Sequence, residues 1–88
     1  MLKISTIDSG GDSAILHLDG QISGRWVGLL EVTCGSFLHR GIQLTVDLSH
    51  VSFSDRDGIA LLRRLELRQV TILNPLPFIA EQIKSAAP

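Results

Sequence analysis

A small α/β domain is the fold class this sequence predicts: a mixed sheet of about four strands with helices mainly on one face. Three observations predict it. Apolar residues alternate with a period of two in residues 14–19 and again in 42–48. A stretch with helical apolar spacing lies between those two runs. Strand-like and helix-like pieces then keep alternating to the end of the chain, which is the α/β pattern.

Residues 3–7 read as a short first strand. Ser9-Gly10-Gly11-Asp12 is a turn cluster, and residues 14–19 make the second strand. There Ala14, Leu16 and Leu18 face one way, and Ile15, His17 and Asp19 the other. The short gap predicts an antiparallel hairpin. Gly20 is expected to break the second strand. Ser23 has the chemistry of an N-cap for a first helix over 24–39. Trp26, Leu29, Leu30, Thr33 and Phe37 recur at helical spacing and are expected to form its buried face. Gly41 supplies the stop. Ile42, Leu44, Val46 and Leu48 then alternate with Gln43, Thr45 and Asp47 in a third strand. A helix between strands two and three requires a parallel crossover. A second helix is expected over 57–67 and a fourth strand over 70–73. Asn74-Pro75 ends that strand, and Pro77 suits the first turn of a last helix reaching about Ser85.

Strands covered on both faces usually read as continuous apolar runs. Strands two and three alternate instead, so His17, Gln43 and Thr45 are expected on a face without helices. Trp26, Leu30, Phe37, Leu44, Val46, Leu62 and Leu65 are expected in one core on the other face.

Eighty-eight residues leave room for one domain, 1–88, with one core. Eight basic residues against nine acidic ones give no field pointing to nucleic acid or to direct membrane insertion. Arg63, Arg64 and Arg68 accordingly read as a solvated helix face. The chain shows no basic-then-apolar leader and no apolar run of about 18 residues, and it reads as cytoplasmic. The single cysteine, Cys34, excludes an internal disulfide and an all-cysteine metal site. Lying mid-helix, it is expected to pack rather than react. His17, His39 and His50 show no ligand spacing with Cys34 or with one another. No glycine-rich phosphate loop is present either, and neither a metal nor a cofactor is expected.

The stretch SFSDRDGIALL, residues 52–62, concentrates two carboxylates, an arginine and a glycine between a strand and a helix. Ser54-x-x-Asp57 matches a capping box with Asp in place of Glu. Acidic residues in a first turn also favour the helix dipole by about 0.3–1 kcal/mol each. A cap does not prevent the same joint from being a recognition surface. A third reading has Asp47, Asp55 and Asp57 converge as a magnesium-dependent aspartyl-phosphate acceptor. Against it, the only lysines are Lys3 and Lys84, near the two ends.

Leu18-Asp19-Gly20, then a helix, then Val46-Asp47-Leu48-Ser49-His50-Val51-Ser52-Phe53 and Asp55-Arg56-Asp57-Gly58-Ile59-Ala60-Leu61-Leu62 resembles the STAS domain. That family comprises bacterial anti-sigma-factor antagonists and the cytoplasmic domains of sulphate transporters. The resemblance covers nearly the whole chain and is most specific from Leu44 to Leu65. It implies a binding module, not an enzyme. The implied partner is an anti-sigma factor of the serine-kinase type, or the ATPase subunit of a transporter complex to which the chain would be an accessory. In many relatives a serine or threonine precedes the loop glycine and is phosphorylated to break the complex. Here that phosphoacceptor-equivalent position is Asp57. The resemblance places partner binding on Ser23, Gly24 and Arg25 and on Ser54, Asp55, Arg56, Asp57 and Gly58, the last five expected as the exposed start of the second helix.

Overall fold

The structure is a computed structural model that describes residues 1–8 and 11–86. Ser9 and Gly10 of the expected turn cluster lie outside the described residues. Among the described residues seven elements follow one another: β1 (Leu2–Asp8), β2 (Ser13–Ile22), α1 (Arg25–His39), β3 (Gln43–Ser54), α2 (Arg56–Leu67), β4 (Thr71–Leu73) and α3 (Pro77–Ser85). The sheet order is β1-β2-β3-β4. The β1–β2 pair is the expected antiparallel hairpin, and β2–β3 and β3–β4 are parallel. Among the described residues, no helix is long and apolar enough to cross a membrane.

Alternation decides which face carries the core. Ala14, Leu16 and Leu18 of β2 and Leu44, Val46 and Leu48 of β3 are buried. They join Leu30 and Cys34 of α1, Leu61, Leu62 and Leu65 of α2, and Ile79 and Ile83 of α3 in one cluster. Helices α1, α2 and α3 therefore lie on one side of the sheet. His17 and Thr45 stand on the other side and are only half-buried, with Gln43 exposed beside them. The core residues expected from periodicity are buried, except that Trp26 and Phe37 are half-buried at its margin. Leu29 departs further, with 46% of its surface exposed. The inward stripe of α1 runs through Leu30 and Cys34, so Leu29 falls about 100° off it. Thr33 is turned back on its own helix, its Oγ1 donating to the Leu29 carbonyl at 2.8 Å. Burial pushes the Cys34 thiol up to about 12, against a smaller opposing pull from Arg68, so it packs as an inert hydrophobe.

Gly20 bends β2 but does not end it. The strand continues to Ile22, and Gly20 still pairs with Leu2 on one side and Val51 on the other. Its φ of 119° suits glycine alone, and a Cβ there would collide with the carbonyl oxygen of Met1. That same oxygen accepts the Gln21 N–H at 2.9 Å, which secures the edge of the sheet.

Two helices stop by the same device. After α1, Gly41 (φ 75°) donates to Leu38 and Ile42 donates to Phe37. After α2, Gln69 (φ 68°) donates to Glu66 and Val70 donates to Leu65. Both are Schellman motifs, with the residue after the C-cap in the left-handed region. Glycine is at ease there and glutamine is not.

Two stability predictions follow from these placements. Leu62 is fully buried, so Leu62→Ala is expected to lower the free energy of unfolding by about 2–5 kcal/mol in urea titration. Gln69→Gly relieves the left-handed position and is expected to raise it by about 0.5–1 kcal/mol, with the slope of the transition unchanged.

Candidate functional site

Parallel strands β2 and β3 deliver the chain to the same edge of the sheet. Ile22 and Ser54, their last residues, are register partners. From Ile22 the chain turns through Ser23 and Gly24 into α1, and from Ser54 it turns through Asp55 into α2. The starts of two helices thus stand side by side, each with N–H groups that the helix itself cannot satisfy.

Asp55 joins them. Its backbone N–H donates to the Ile22 carbonyl at 3.0 Å. Its Oδ1 accepts the Gly58 N–H at 2.8 Å, which caps α2, and its Oδ2 accepts the Gly24 N–H at 3.0 Å. Gly24 is the N-cap of α1, with no side-chain cap of its own and a φ of 57°. One carboxylate therefore serves both helix ends. The Gly24 N–H, then the Gly58 N–H, hold the Asp55 carboxyl below its ordinary value; desolvation opposes them, and the Asp57 N–H adds to them.

This corrects two expectations. Ser54 does not cap α2, because β3 extends to include it and buries it to 3% exposure. Its Oγ instead donates to the Asp55 carbonyl at 3.2 Å, and the cap falls one residue later. Ser23 contributes its backbone carbonyl, which accepts the Trp26 N–H, while its side chain makes no cap bond to α1. Asp57 lies exposed in the first turn of α2, where its side chain complements the helix dipole.

Burial divides the predicted site residues. Gly24, Arg25, Arg56 and Asp57 are exposed, and Ser23 and Asp55 are half-buried. Ser54 and Gly58 are buried, so the expectation of an exposed surface from 54 to 58 fails at both ends. Gly58 is there because nothing larger fits: a Cβ would strike Ser54 Oγ and come within 2.9 Å of Ile22. Arg25 stacks its guanidinium 5.0 Å from the centre of the half-buried Trp26 ring. Arg56 also borders a groove between α2 and α3 with Ile59, Ala60 and Gln82.

Asp47, Asp55 and Asp57 do not converge. Asp47 lies on the face without helices, where Oδ1 accepts the Ser49 N–H at 2.9 Å and Oδ2 lies 3.3 Å from His17 Nδ1. The bond from Ser49 holds the Asp47 carboxyl below its ordinary value; desolvation opposes it, while the Ser49 hydroxyl and His17 assist. His50 completes a cluster there, its Nδ1 3.0 Å from His17 Nε2. Sequence spacing missed this cluster, since 33 residues separate the two histidines.

Asp55→Ala removes a cap and a second acceptor, and is expected to cost about 1–3 kcal/mol in chemical denaturation. Asp55→Asn keeps a capping oxygen but loses the charge. The folded carboxyl sits below its unfolded value of about 3.9. The stability it contributes is therefore complete above that pH and is lost as pH falls through the folded value. Acid titration of unfolding free energy should show a shallower slope in Asp55→Asn than in wild type over that window. Gly58→Ala is expected to destabilise by about 1–3 kcal/mol through overpacking against Ser54 and Ile22.

No protein-family model and no curated protein matches this sequence. Solved structures do match. The anti-sigma-factor antagonist SpoIIAA in its unphosphorylated form superposes with a TM-score of 0.74 at 17% identity, covering 96% of this chain and 84% of that one. The phosphorylated form of SpoIIAA, a Bacillus cell-fate determinant, gives 0.70 at 18% identity, covering 93% and 81%. An anti-sigma factor antagonist from Mycobacterium paratuberculosis gives 0.65 at 15% identity, covering 97% and 96%. Similarity this low in sequence and this extensive in shape speaks for the backbone: the chain has the STAS-like fold of the anti-sigma-factor antagonists.

Proposed function

We propose that this chain is a regulatory protein-binding module of the anti-sigma-factor-antagonist type, not an enzyme, with Asp57 at the position where relatives carry a phosphorylatable serine or threonine. The observation that carries the reading is the exposure of Asp57, Arg56, Arg25 and Gly24 together at the joint that Asp55 holds. Four exposed groups of mixed charge on a braced backbone form a preorganised contact surface. Solved structures of that fold include SpoIIAA in unphosphorylated and phosphorylated forms, and the family resemblance puts the phosphoacceptor-equivalent position, Asp57, at the start of α2.

The carboxylate at 57 gives this module one fixed charge state. A phosphoserine carries about −1.5 to −2 charges and three strong acceptor oxygens, whereas a carboxylate carries one charge and two oxygens. Asp57 is therefore a partial mimic, and the partner, an anti-sigma factor of the serine-kinase type, is one adapted to a carboxylate. Because Asp57 does not cap α2, its replacement separates binding from folding.

Asp57→Ser is expected to weaken the partner by about 1–3 kcal/mol through loss of a charged contact. Its effect on stability should stay within about 1 kcal/mol, the dipole contribution. Trp26, the single tryptophan, sits beside Arg25 and reports binding by its fluorescence. The serine variant should also accept phosphate from a kinase of this type where wild type does not. Equal affinity of the two proteins for the partner, or efficient phosphorylation of wild type at another serine, would sink the fixed-charge reading.

A further inference from the structure

The face of the sheet without helices carries a feature that the proposed binding surface does not use. β3 has one residue more than β2 between the pairs His17↔Asp47 and Asp19↔His50. By simple alternation from Leu44, Val46 and Leu48, His50 belongs on the core side. The bulge reverses that phase, and Val51 takes the core position instead. His50 is thereby re-aimed at His17. Ring nitrogens of the two residues, His17 Nε2 and His50 Nδ1, face each other at 3.0 Å. The ring centres lie 5.0 Å apart with the planes tilted by 58°.

The other nitrogen of His17 is already engaged. Its Nδ1 lies 3.3 Å from Asp47 Oδ2, and Asp47 is in turn held by the Ser49 N–H. A carboxylate on one imidazole nitrogen fixes the proton there and leaves the lone pair on the other. That carboxylate–imidazole arrangement is how metal-binding histidines are held. Ser49 Oγ lies 3.3 Å from His50 Nδ1 on the same exposed rim. Two imidazole nitrogens bound to one ion at about 2.0–2.1 Å stand roughly 2.8–3.4 Å apart, and the observed 3.0 Å falls within that span.

We propose that His17 and His50 form a two-imidazole site for a divalent transition ion of the zinc class, with Asp47 as the positioning carboxylate behind His17. Among the described residues, no three or more His, Cys, Asp or Glu side chains make a ready ligand cluster. Water and exposed oxygens complete the shell. In the free pair, with His17 protonated on Nδ1, the proton of their hydrogen bond lies on His50 Nδ1. On binding, His50 exchanges that proton with solvent for one on Nε2, and the two lone pairs meet at the ion. A bound ion would tie β2 to β3 across the bulge, a few residues before both strands reach the Asp55 joint.

The test is titration of Zn²⁺ into the full chain, followed by imidazole proton–nitrogen spectra and calorimetry. His17 and His50 resonances should shift together and saturate at one ion per chain, while His39 stays unmoved. His50→Gln or His17→Gln should abolish the heat of binding, and His39→Gln should leave it intact. Asp47→Asn keeps the acceptor for Ser49 and should weaken binding about 10–100-fold. Circular dichroism establishes that each variant is folded, and the wild-type spectra decide the matter without any variant. Shifts confined to His39 or the Met1 amine, or a His50→Gln chain that binds as tightly as wild type, would overturn the site.

Discussion

The Asp55 carboxylate is the interaction on which the joint between the starts of α1 and α2 depends. Two helices begin there within reach of one another, and both begin with unsatisfied N–H groups. Neither α1 nor the last residue of β3 supplies a side-chain cap for its own helix. Asp55 reaches Gly58 with one oxygen and Gly24 with the other. The register of β2 against β3 makes this possible, because Ile22 and Ser54 end together and Asp55 N–H closes onto the Ile22 carbonyl. Glycine at both receiving positions is required by space and conformation: Gly58 abuts Ser54 and Ile22, and Gly24 has positive φ. An oxygen at each end thus replaces two separate caps, and it couples the two loops mechanically.

That coupling explains how exposed side chains on short loops can present one surface. Arg25 follows Gly24 directly, and Arg56 and Asp57 follow Asp55 directly. The shared carboxylate holds the adjoining Gly24 and Gly58 backbone, while the side chains of Arg25, Arg56 and Asp57 remain exposed. Loops in general carry function because a rigid scaffold positions them. Here the scaffold reaches into the loops themselves through a charge held in its ionised form by backbone donors.

Irregularity in β3 does the rest. It runs from Gln43 to Ser54, with register shifts against β2 after His17 and after Gly20. The first shift turns His50 to the open face beside His17 and Asp47. The second returns Ser54 to the buried side, where it packs under the Asp55 joint and contacts the edge of Gly58. Without the two extra residues, strict alternation over twelve positions would place different side chains on each face.

Much of this was legible in the sequence. Alternation in 14–19 and 42–48 determined the sheet, its core face and the face without helices, because one-sided burial writes a period of two. Gly41, Pro77 and the apolar spacing in 57–67 determined where helices stop and start, because those residues act through local backbone geometry. The joint was also recognisable as a place of concentrated charge. Which carboxylate caps, and that it caps two helices, was decided only by tertiary structure. The capping pattern pointed to Ser54 and Asp57, but the pairing of Ser54 with Ile22 drew that serine into the sheet and left Asp55 at the boundary. Likewise the meeting of His17 with His50 belongs to the register between strands 33 residues apart. A bulge is a relation between two strands, and no spacing within either strand records it.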